Sequence, residues 1–316
     1  MRVSVLMAVY RPDINWLRMQ LTSLREQTLL PSEILIRDDC PEEPVGSAFF
    51  ERELQGIPFS YEVNPENVGS SKTFAQLAGK ATGDAVAFCD QDDVWKPEKL
   101  RQLADCLQRP GVTLAYCDLC VIDARGKLVA GNVEEVRQRE YFPEGRNLAL
   151  QLFVKNCIYG CSMVMQADIV RKALPLPEEM GHDHWFSLFA ASEGEIVHLR
   201  QILVSYRLHS DNQSTALKYV ATKQDYLEQR IRRLQIQAKA CAARFPYDAE
   251  LTTHIAQVAR WADARERWFH GDFHAGVALW RGRAISPKAA RFEMVLPFLP
   301  QWLFRKIIHR IQGGKL

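Results

Sequence analysis

The amino-acid sequence predicts an α/β domain built on a doubly wound sheet, followed by a region made only of helices. Short apolar runs alternate with segments of helical periodicity up to about residue 123. This alternation is typical of a sheet whose strands are connected by helices. From about residue 215 onward, only helical patterns remain. We therefore expect three parts: an α/β domain over 1–215, a helical region over 216–290 and a tail over 291–316.

Five apolar runs are predicted strands. The fourth, DAVAFCD, is continuously apolar, as expected for a strand that is buried on both faces of a parallel sheet. The second and fourth runs end in aspartates. The predicted strands span 3–10, 33–39, 57–65, 84–90 and 112–123.

The segments between these strands, and most of the C-terminal region, are predicted helices. In the first of them, Ile14, Leu17, Leu21 and Leu24 recur at helical spacing. In another, Pro97 occupies the first turn, where proline is tolerated. The predicted helices span 14–28, 72–82, 97–108, 226–245, 250–269 and 274–282.

The composition indicates a cytoplasmic globular protein. The opening apolar run ends at Pro12 and Asp13, and no apolar stretch approaches the roughly 20 residues that cross a bilayer. The eight cysteines are irregularly spaced and several lie inside apolar runs, which indicates buried, reduced thiols. The alternative for CDLC (117–120) is a zinc site completed by Cys157 and Cys161.

Positive charge is concentrated at the C-terminus. The net charge is +2, but residues 281–316 contain eight Lys and Arg and one acid, Glu293. From Leu299 onward, apolar residues fall on one helical face and basic residues on the other, with Trp302 among them. This pattern is typical of a helix that lies on an anionic membrane surface, which would place the protein peripherally on the inner face of the cell membrane. The alternative is a terminal helix docked on the protein's own core.

An acidic cluster follows the fourth strand, in the stretch FCDQDDVWKPEKL (88–100). Asp90, Asp92 and Asp93 crowd into four positions, and they share the carboxyl edge of the predicted sheet with Asp38 and Asp39. Ligands bind beyond this edge in doubly wound sheets. Carboxylates are suited to holding Mg²⁺ or Mn²⁺ against a diphosphate. The alternatives are a solvated acidic loop, or Asp93 acting as a helix cap.

Two further stretches contain candidate functional groups. In GHDHWF (181–186), Asp183 is a candidate general base, because a carboxylate beside aromatic side chains can have a raised pKa. The alternatives are a metal site made by His182 and His184, or a polar surface loop. In YRLHSDNQS (206–214), His209 follows a strand-like run.

Together these stretches resemble the family 2 glycosyltransferases with the GT-A fold, over roughly residues 2–215. VSVLMAVYRP is similar to the family's first strand, LTSLREQTLLPSEILIRDDC to its second strand with the paired aspartates, and PENVGSSKTFAQLAGKATGD to its nucleotide-site segment. FCDQDDVWKPEKL resembles the D-x-D-D motif, GHDHWF the segment with the catalytic base, and YRLHSDNQS a motif of the rhamnosyltransferase-like branch. Arg11 and Gln76 replace residues that are commonly Asn.

The resemblance implies a role for each matching position. Asp183 would be the catalytic base. Gly160, His182 and Trp185 would lie near the acceptor or the transferred sugar. The implied metal ligands are Asp92, Asp93 and His209. The implied nucleotide-sugar contacts are Ala8, Tyr10, Asp38, Asp39, Asn67, Lys72, Asp90 and Asp92.

The resemblance also implies a reaction. We expect an inverting, Mn²⁺- or Mg²⁺-dependent glycosyltransferase that moves a sugar onto a cell-surface glycan, lipid-linked or lipopolysaccharide acceptor. The motifs favour dTDP-rhamnose as donor; the alternatives are UDP-GlcNAc, UDP-galactose or UDP-glucose. A nucleotidyltransferase is disfavoured, because AVYRPDINW lacks the glycine-rich loop that such an enzyme needs. A non-catalytic nucleotide-sugar binding module is the remaining alternative. No nucleic-acid partner is expected.

Overall fold

A computed structural model describes residues 1–136, 142–209, 217, 219–245 and 248–312. Within it the chain divides into two compact units, Met1–His209 and Ser210–Leu316. The first unit contains every strand of the described chain, and the second is helical. The segment Ser210–Ser214 of the YRLHSDNQS motif lies outside the described residues.

The first unit is a nine-stranded mixed sheet flanked by helices. Its spatial order is β3-β2-β1-β4-β8-β6-β9-β5, and β7 pairs with β6. β1, β2, β3 and β4 run parallel, whereas β8 is antiparallel to both of its neighbours. The strands are β1 (Val3–Val9), β2 (Glu33–Asp38), β3 (Phe59–Val63), β4 (Ala85–Cys89), β5 (Val94–Trp95), β6 (Val112–Ile122), β7 (Leu128–Ala130), β8 (Met163–Gln166) and β9 (Glu195–Arg207).

The described part of this unit has seven α-helices. α1 begins after Asp13, whose carboxylate accepts hydrogen bonds from the backbone N–H groups of Asn15 and Trp16. The helices are α1 (Ile14–Arg25), α2 (Ser47–Glu53), α3 (Ser70–Ala78), α4 (Lys99–Leu107), α5 (Ala149–Val154), α6 (Ala167–Ala173) and α7 (His182–Glu193). All five predicted strands and all three predicted helices are present in this unit. Seven elements were not predicted: α2, α5, α6, α7, β5, β7 and β8; β9 contains the strand-like run before His209.

The burial of side chains in the first unit agrees with the sequence pattern. Every residue of β4 is buried, because helices cover both faces of the sheet there. In β6, Cys117 and Cys120 are three residues apart and therefore point to opposite faces. The sulfurs of the CDLC stretch do not form a metal-binding group with Cys157 and Cys161. Seven of the eight cysteines are buried, in agreement with the prediction of buried thiols.

The described residues of the second unit form six α-helices around two small apolar cores. A buried ion pair joins two of them: the Arg265 guanidinium donates to Glu293 at 2.6 Å, and the Tyr226 hydroxyl donates to the same carboxylate at 2.8 Å. The helices are α8 (Lys223–Tyr226), α9 (Arg233–Arg244), α10 (Ala249–Phe269), α11 (Ala275–Arg281), α12 (Pro287–Val295) and α13 (Gln301–Gln312), with a π-helical turn at Leu227–Arg232 between α8 and α9.

The basic tail helix, α13, docks on its own unit. Phe304 and Ile308 are buried against Val220, Tyr226 and Leu227. The apolar face of α13 therefore packs on its own unit and is not available to a membrane. For this face, the structure agrees with the alternative of a terminal helix docked on the protein's core. Among the described residues, no helix is both long and apolar enough to cross a bilayer.

Candidate active site

The candidate site lies at the carboxyl edge of β1, β2 and β4, where the chain turns away from three adjacent parallel strands. Gln91 links the ends of β1 and β4 by two hydrogen bonds. Its side chain accepts a hydrogen bond from the backbone N–H of Tyr10 at 2.8 Å and donates to the carbonyl of Tyr10 at 3.0 Å. The Tyr10 side chain stays exposed at this edge, while Ala8 is partly buried within β1.

Asp38 ends β2 and organises the loop that follows it. Its carboxylate accepts hydrogen bonds from the backbone N–H of Cys40 at 3.1 Å, from that of Val45 at 2.8 Å, and from the Tyr61 hydroxyl at 3.0 Å. Asp38 is fully buried, so these three hydrogen bonds fix the loop from beneath the surface.

Asp39 organises a different loop, the one that leads into α3. Its carboxylate accepts from the Asn64 side-chain amide at 2.7 Å and from the backbone N–H groups of Val68 and Gly69 at 2.9 and 2.8 Å. Asn64 is buried and also accepts from Arg37 at 2.8 Å. Sequence reasoning singled out the exposed Asn67 and missed Asn64.

Lys72 lies in the first turn of α3 with an exposed side chain. Its ammonium forms an ion pair with Glu178 at 2.9 Å. Glu178 is also exposed, so this pair contributes little to stability. The ammonium of Lys72 can therefore exchange Glu178 for another anion at small cost.

The three acids after β4 have three different environments. The Asp92 carboxylate is partly exposed and lies 2.7 Å from Nε2 of His209, 117 residues further along the chain. Asp93 is fully buried and accepts a hydrogen bond from the backbone N–H of Arg207 at 2.9 Å. Asp90 is partly buried, and an oxygen of its carboxylate lies within 4.8 Å of Asp93 and of the Cys161 thiol.

The predicted metal ligands are therefore divided between two places. Asp92 and His209 are together, whereas Asp93 groups with Asp90 and Cys161. Burial raises the pKa of the Cys161 thiol well above its usual value, so the thiol stays protonated and is a poor ligand for a hard cation. Asp93 is not the cap of α4, which begins after Glu98.

Negative charge in this loop is incompletely compensated. Burial, followed by the charges of Asp92 and Asp183, raises the pKa of Asp90 to about 7. Burial and the charges of Asp92 and Asp90 raise the pKa of Asp93 well above its usual value. A donor set of neighbouring carboxylates with raised pKa values fits a divalent cation, which prefers oxygen ligands and would neutralise them.

Arg207, the last residue of β9, forms hydrogen bonds that stabilise the acidic loop. Arg207 is almost fully buried, and its Nε donates to the carbonyl of Asp92 at 2.7 Å. Its Nη1 donates to the carbonyl of Asp123 at 3.0 Å, and its guanidinium lies 5.1 Å from the centre of the Trp16 ring. Sequence reasoning noted Arg207 only as part of a motif, and did not identify this structural role.

Asp183 lies in the first turn of α7, where a helix dipole favours a negative charge. Its carboxylate accepts from the backbone N–H of His184 at 2.7 Å. Its charge contributes to the raised pKa of Asp90, so the two carboxylates share one electrostatic environment. The exposed part of Asp183 can accept a proton from a bound hydroxyl group.

The residues around Asp183 do not form a metal site. The His182 ring stacks on Phe74 with centroids 4.1 Å apart, and Nε2 of His184 lies 2.6 Å from the carbonyl of Leu152. Trp185, predicted near the acceptor, is instead fully buried, and its indole donates to the carbonyl of Ala173 at 2.7 Å. Because α7 packs against the sheet, Trp185, which follows the partly buried His184, lies in the core.

Comparison with known proteins identifies the family. The sequence profile named Glycosyl transferase family 2 matches residues 4–172, which is more than half of the chain. The chain belongs to glycosyl transferase family 2. The predicted family and the predicted enzyme class, a glycosyltransferase, are thereby confirmed.

Relatives and solved structures of this family agree. The chain is 24% identical to an uncharacterized glycosyltransferase, alr2836, of Nostoc sp., over 92% of this chain and 94% of that protein. A crystal structure of S. aureus TarS 1–349 in complex with UDP-GlcNAc covers 100% of this chain and 88% of that one, with 16% identity and a TM-score of 0.60. The chain spans 55% of a longer TarS structure, with 15% identity and a TM-score of 0.57. The predicted GT-A fold with a helical C-terminal region is confirmed.

The raised pKa of Asp90 gives a pH dependence of stability in this family 2 chain. Its folded pKa of about 7 lies above the unfolded value, so the native state takes up a proton as the pH falls from 8 to 6. We expect the metal-free protein in EDTA to gain about 1 kcal/mol in unfolding free energy over this range. Urea unfolding of the wild type and of Asp90→Asn measures it. An equal gain in the variant would assign the effect to other groups.

Proposed function

We propose that the acidic loop and the first turn of α7 form the active site of an inverting glycosyltransferase that depends on a divalent metal ion. The observation that carries this proposal is the Asp92–His209 contact at the carboxyl edge of the sheet, in the same electrostatic environment as Asp183. One group of side chains would hold the donor diphosphate, and Asp183 would activate the acceptor. A single displacement with one base needs no second nucleophilic carboxylate.

The paired aspartates after β2 would receive the nucleotide. Asp38 and Asp39 are buried and each uses three hydrogen bonds to fix a loop, so together they would set the shape of the nucleotide site. The exposed ring of Tyr10 and the first turn of α3, with Lys72, border the same edge. Asn67, exposed before α3, and Ala8 would border the nucleotide as well.

Asp92 and His209 would hold the metal ion, with Asp90 beside them near the ribose. When bound, Mn²⁺ or Mg²⁺ would neutralise charge on the diphosphate leaving group. We assign Asp93 a structural role instead, because its carboxylate is buried and fixes the backbone of Arg207. This narrows the predicted metal ligands to Asp92 and His209.

Asp183 would accept the proton of the acceptor hydroxyl. The hydrogen bond from the backbone N–H of His184 fixes its position in the first turn of α7. Gly160 and His182 would lie beside the transferred sugar. The acceptor would be a cell-surface glycan or a lipid-linked precursor such as lipopolysaccharide.

The donor sugar has two candidates. The YRLH motif favours dTDP-rhamnose, by resemblance alone. The TarS structure in complex with UDP-GlcNAc favours a UDP-sugar donor instead.

Nucleotide release separates the two donors. We expect the purified protein with Mn²⁺ to release dTDP from dTDP-rhamnose faster than it releases UDP from UDP-GlcNAc, UDP-galactose or UDP-glucose. Release of UDP alone would replace the rhamnose proposal with the UDP-sugar alternative.

Substitution of the proposed base tests the chemistry. Asp183→Asn keeps the side-chain shape but cannot accept the proton, so we expect transfer to fall at least 100-fold while the donor Kd changes less than about threefold. Asp168→Asn is the matched control, because Asp168 is an exposed acid in the first turn of α6. Near-normal transfer by Asp183→Asn would remove Asp183 from this role.

The metal assignment is tested by donor binding with Mn²⁺ and with EDTA. We expect Mn²⁺ to strengthen donor binding by the wild type at least tenfold, because the cation bridges the acids and the diphosphate. Asp92→Asn should abolish this gain, whereas Asp93→Asn should keep most of it. Loss of the gain in Asp93→Asn alone would contradict the division of roles between the two aspartates.

The second unit would contact an anionic membrane surface, though through a different face of the tail than the sequence predicts. Trp302, Arg305, Lys306 and His309 are spaced three or four residues apart on the outward face of α13 and are exposed. Nearby, Phe298 is 63% exposed and stacks on the exposed Phe273 with ring centroids 5.7 Å apart. Exposed aromatic rings beside cations suit a lipid headgroup layer.

Vesicle sedimentation tests this surface without disturbing the core. Deleting the tail would remove Phe304 and Ile308 from the second unit, so point variants are preferable. We expect binding to phosphatidylcholine vesicles with 30% phosphatidylglycerol, and a loss of about tenfold or more in Arg305→Gln/Lys306→Gln and in Phe298→Ala/Trp302→Ala.

Two control variants accompany them. Arg25→Gln/Arg171→Gln removes two exposed cations from the first unit, and Leu128→Ala/Val129→Ala removes two exposed apolar side chains. Equal binding by all variants, or none by the wild type, would contradict the proposal.

A further inference from the structure

A short turn, Gly160–Ser162, lies between the acidic loop and the first turn of α7 and contacts both. On one side, the Cys161 thiol lies within 4.8 Å of the Asp90 and Asp93 carboxylates. On the other side, Gly160 packs so closely on α7 that a Cβ there would lie 2.8 Å from Nε2 of His182 and 3.7 Å from the Cβ of Asp183. The turn therefore sets the spacing between the two halves of the proposed active site.

Lys99 holds this turn from inside the protein. It lies in the first turn of α4 with no exposed surface, and its ammonium donates a hydrogen bond to the carbonyl of Cys161 at 2.7 Å. The same ammonium lies 3.0 Å from the centre of the Trp95 ring. A fully buried lysine is rare, because its charge must be removed from water.

The charge of Lys99 is compensated by its surroundings. Burial lowers the pKa of Lys99 to about 8, while the nearby thiols and the Asp93 carboxylate act in the opposite direction. Lys99 in turn opposes the raised pKa of Asp90. The ammonium thus serves two neighbours: the carbonyl that fixes the turn and the acids that need a counter-charge.

We propose that Lys99 is a positioning residue for transfer, which pins the Gly160–Ser162 turn and thereby fixes Asp183 relative to the acidic loop. Lys99 touches neither donor nor acceptor and acts through Cys161 and Gly160. This inference rests on the proposed role of Asp183 as the base. An error of about 1 Å in such a placement can lower a rate about 100-fold.

A pair of variants separates pinning from charge compensation. Lys99→Met removes both effects and can lower stability by leaving Asp93 buried without a counter-charge. Lys99→Met/Asp93→Asn removes the buried anion as well. We expect the double variant to recover stability, because the buried anion is gone. If Lys99 fixes the turn, the kcat of the double variant nevertheless remains at least tenfold below that of Asp93→Asn, with a donor Kd within about threefold. Recovery of kcat in the double variant would overturn the proposal.

Gly160→Ala tests the same contact from the other side. Its Cβ would displace the His182 ring, so we expect a similar loss of kcat. Gly79→Ala is the matched control, because its Cβ would meet only ordinary contacts at 3.6 Å or more. An unchanged kcat in Gly160→Ala would show that this spacing has no effect on transfer.

A readout that needs no donor keeps this test separate from the proposed function. We expect the NMR signals of the His182 ring, assigned with His182→Gln, to shift in the folded Lys99→Met/Asp93→Asn and Gly160→Ala variants but not in Gly79→Ala. Unshifted signals in the double variant would overturn the pinning role. If the wild type turns over no nucleotide sugar, the proposed function fails, while these signals still decide whether Lys99 sets the position of α7.

Discussion

The proposed site depends on hydrogen bonds between the acidic loop after β4 and the end of β9. Three carboxylates in four residues repel one another and are costly beside an apolar strand. The loop keeps its shape because Arg207 donates its backbone N–H to Asp93 and its Nε to the carbonyl of Asp92. The short β5 strand pairs with β9 directly beside these contacts. Because His209 follows Arg207 by only two residues, these hydrogen bonds also bring its ring close to the Asp92 carboxylate.

The two adjacent aspartates after β4 have different roles. Asp93 is buried and fixes backbone, which leaves Asp92 partly exposed at the edge of the sheet. Asp38 and Asp39, by contrast, are both buried, and each fixes one loop. Acids that look equivalent in the sequence thus differ in burial. This difference gives a physical basis for separating ligand-binding aspartates from structural ones.

The sequence predicts most of the first unit because its signals are local. Continuous apolar runs locate the long strands, and the acids that follow β2 and β4 locate the proposed ligand-binding edge. The contact between Asp92 and His209 crosses 117 residues, so periodicity could not predict it; only the family resemblance associated them.

Burial of polar residues was the main feature that could not be predicted. Lys99 lies in PEKL, whose helical pattern is compatible with a solvent-exposed lysine, yet contacts with Trp95 and Cys161 bury it completely. Asn64 and Arg207 are buried for the same reason: their partners come from distant parts of the chain. The tail shows the reverse case, because its amphipathic pattern fits a membrane and a protein core equally well, and Phe304 docks on the core.

The central claim is that the acidic loop is one half of a site completed by a divalent cation and a donor diphosphate. A crystal structure with Mn²⁺ and a nucleoside diphosphate, with the metal located by its anomalous scattering, tests this most directly. We expect the anomalous peak to contact the Asp92 carboxylate and the diphosphate, while Asp93 still accepts its hydrogen bond from Arg207. A diphosphate bound at this edge without a metal, or a peak on Asp93 and Cys161 instead, would contradict the account.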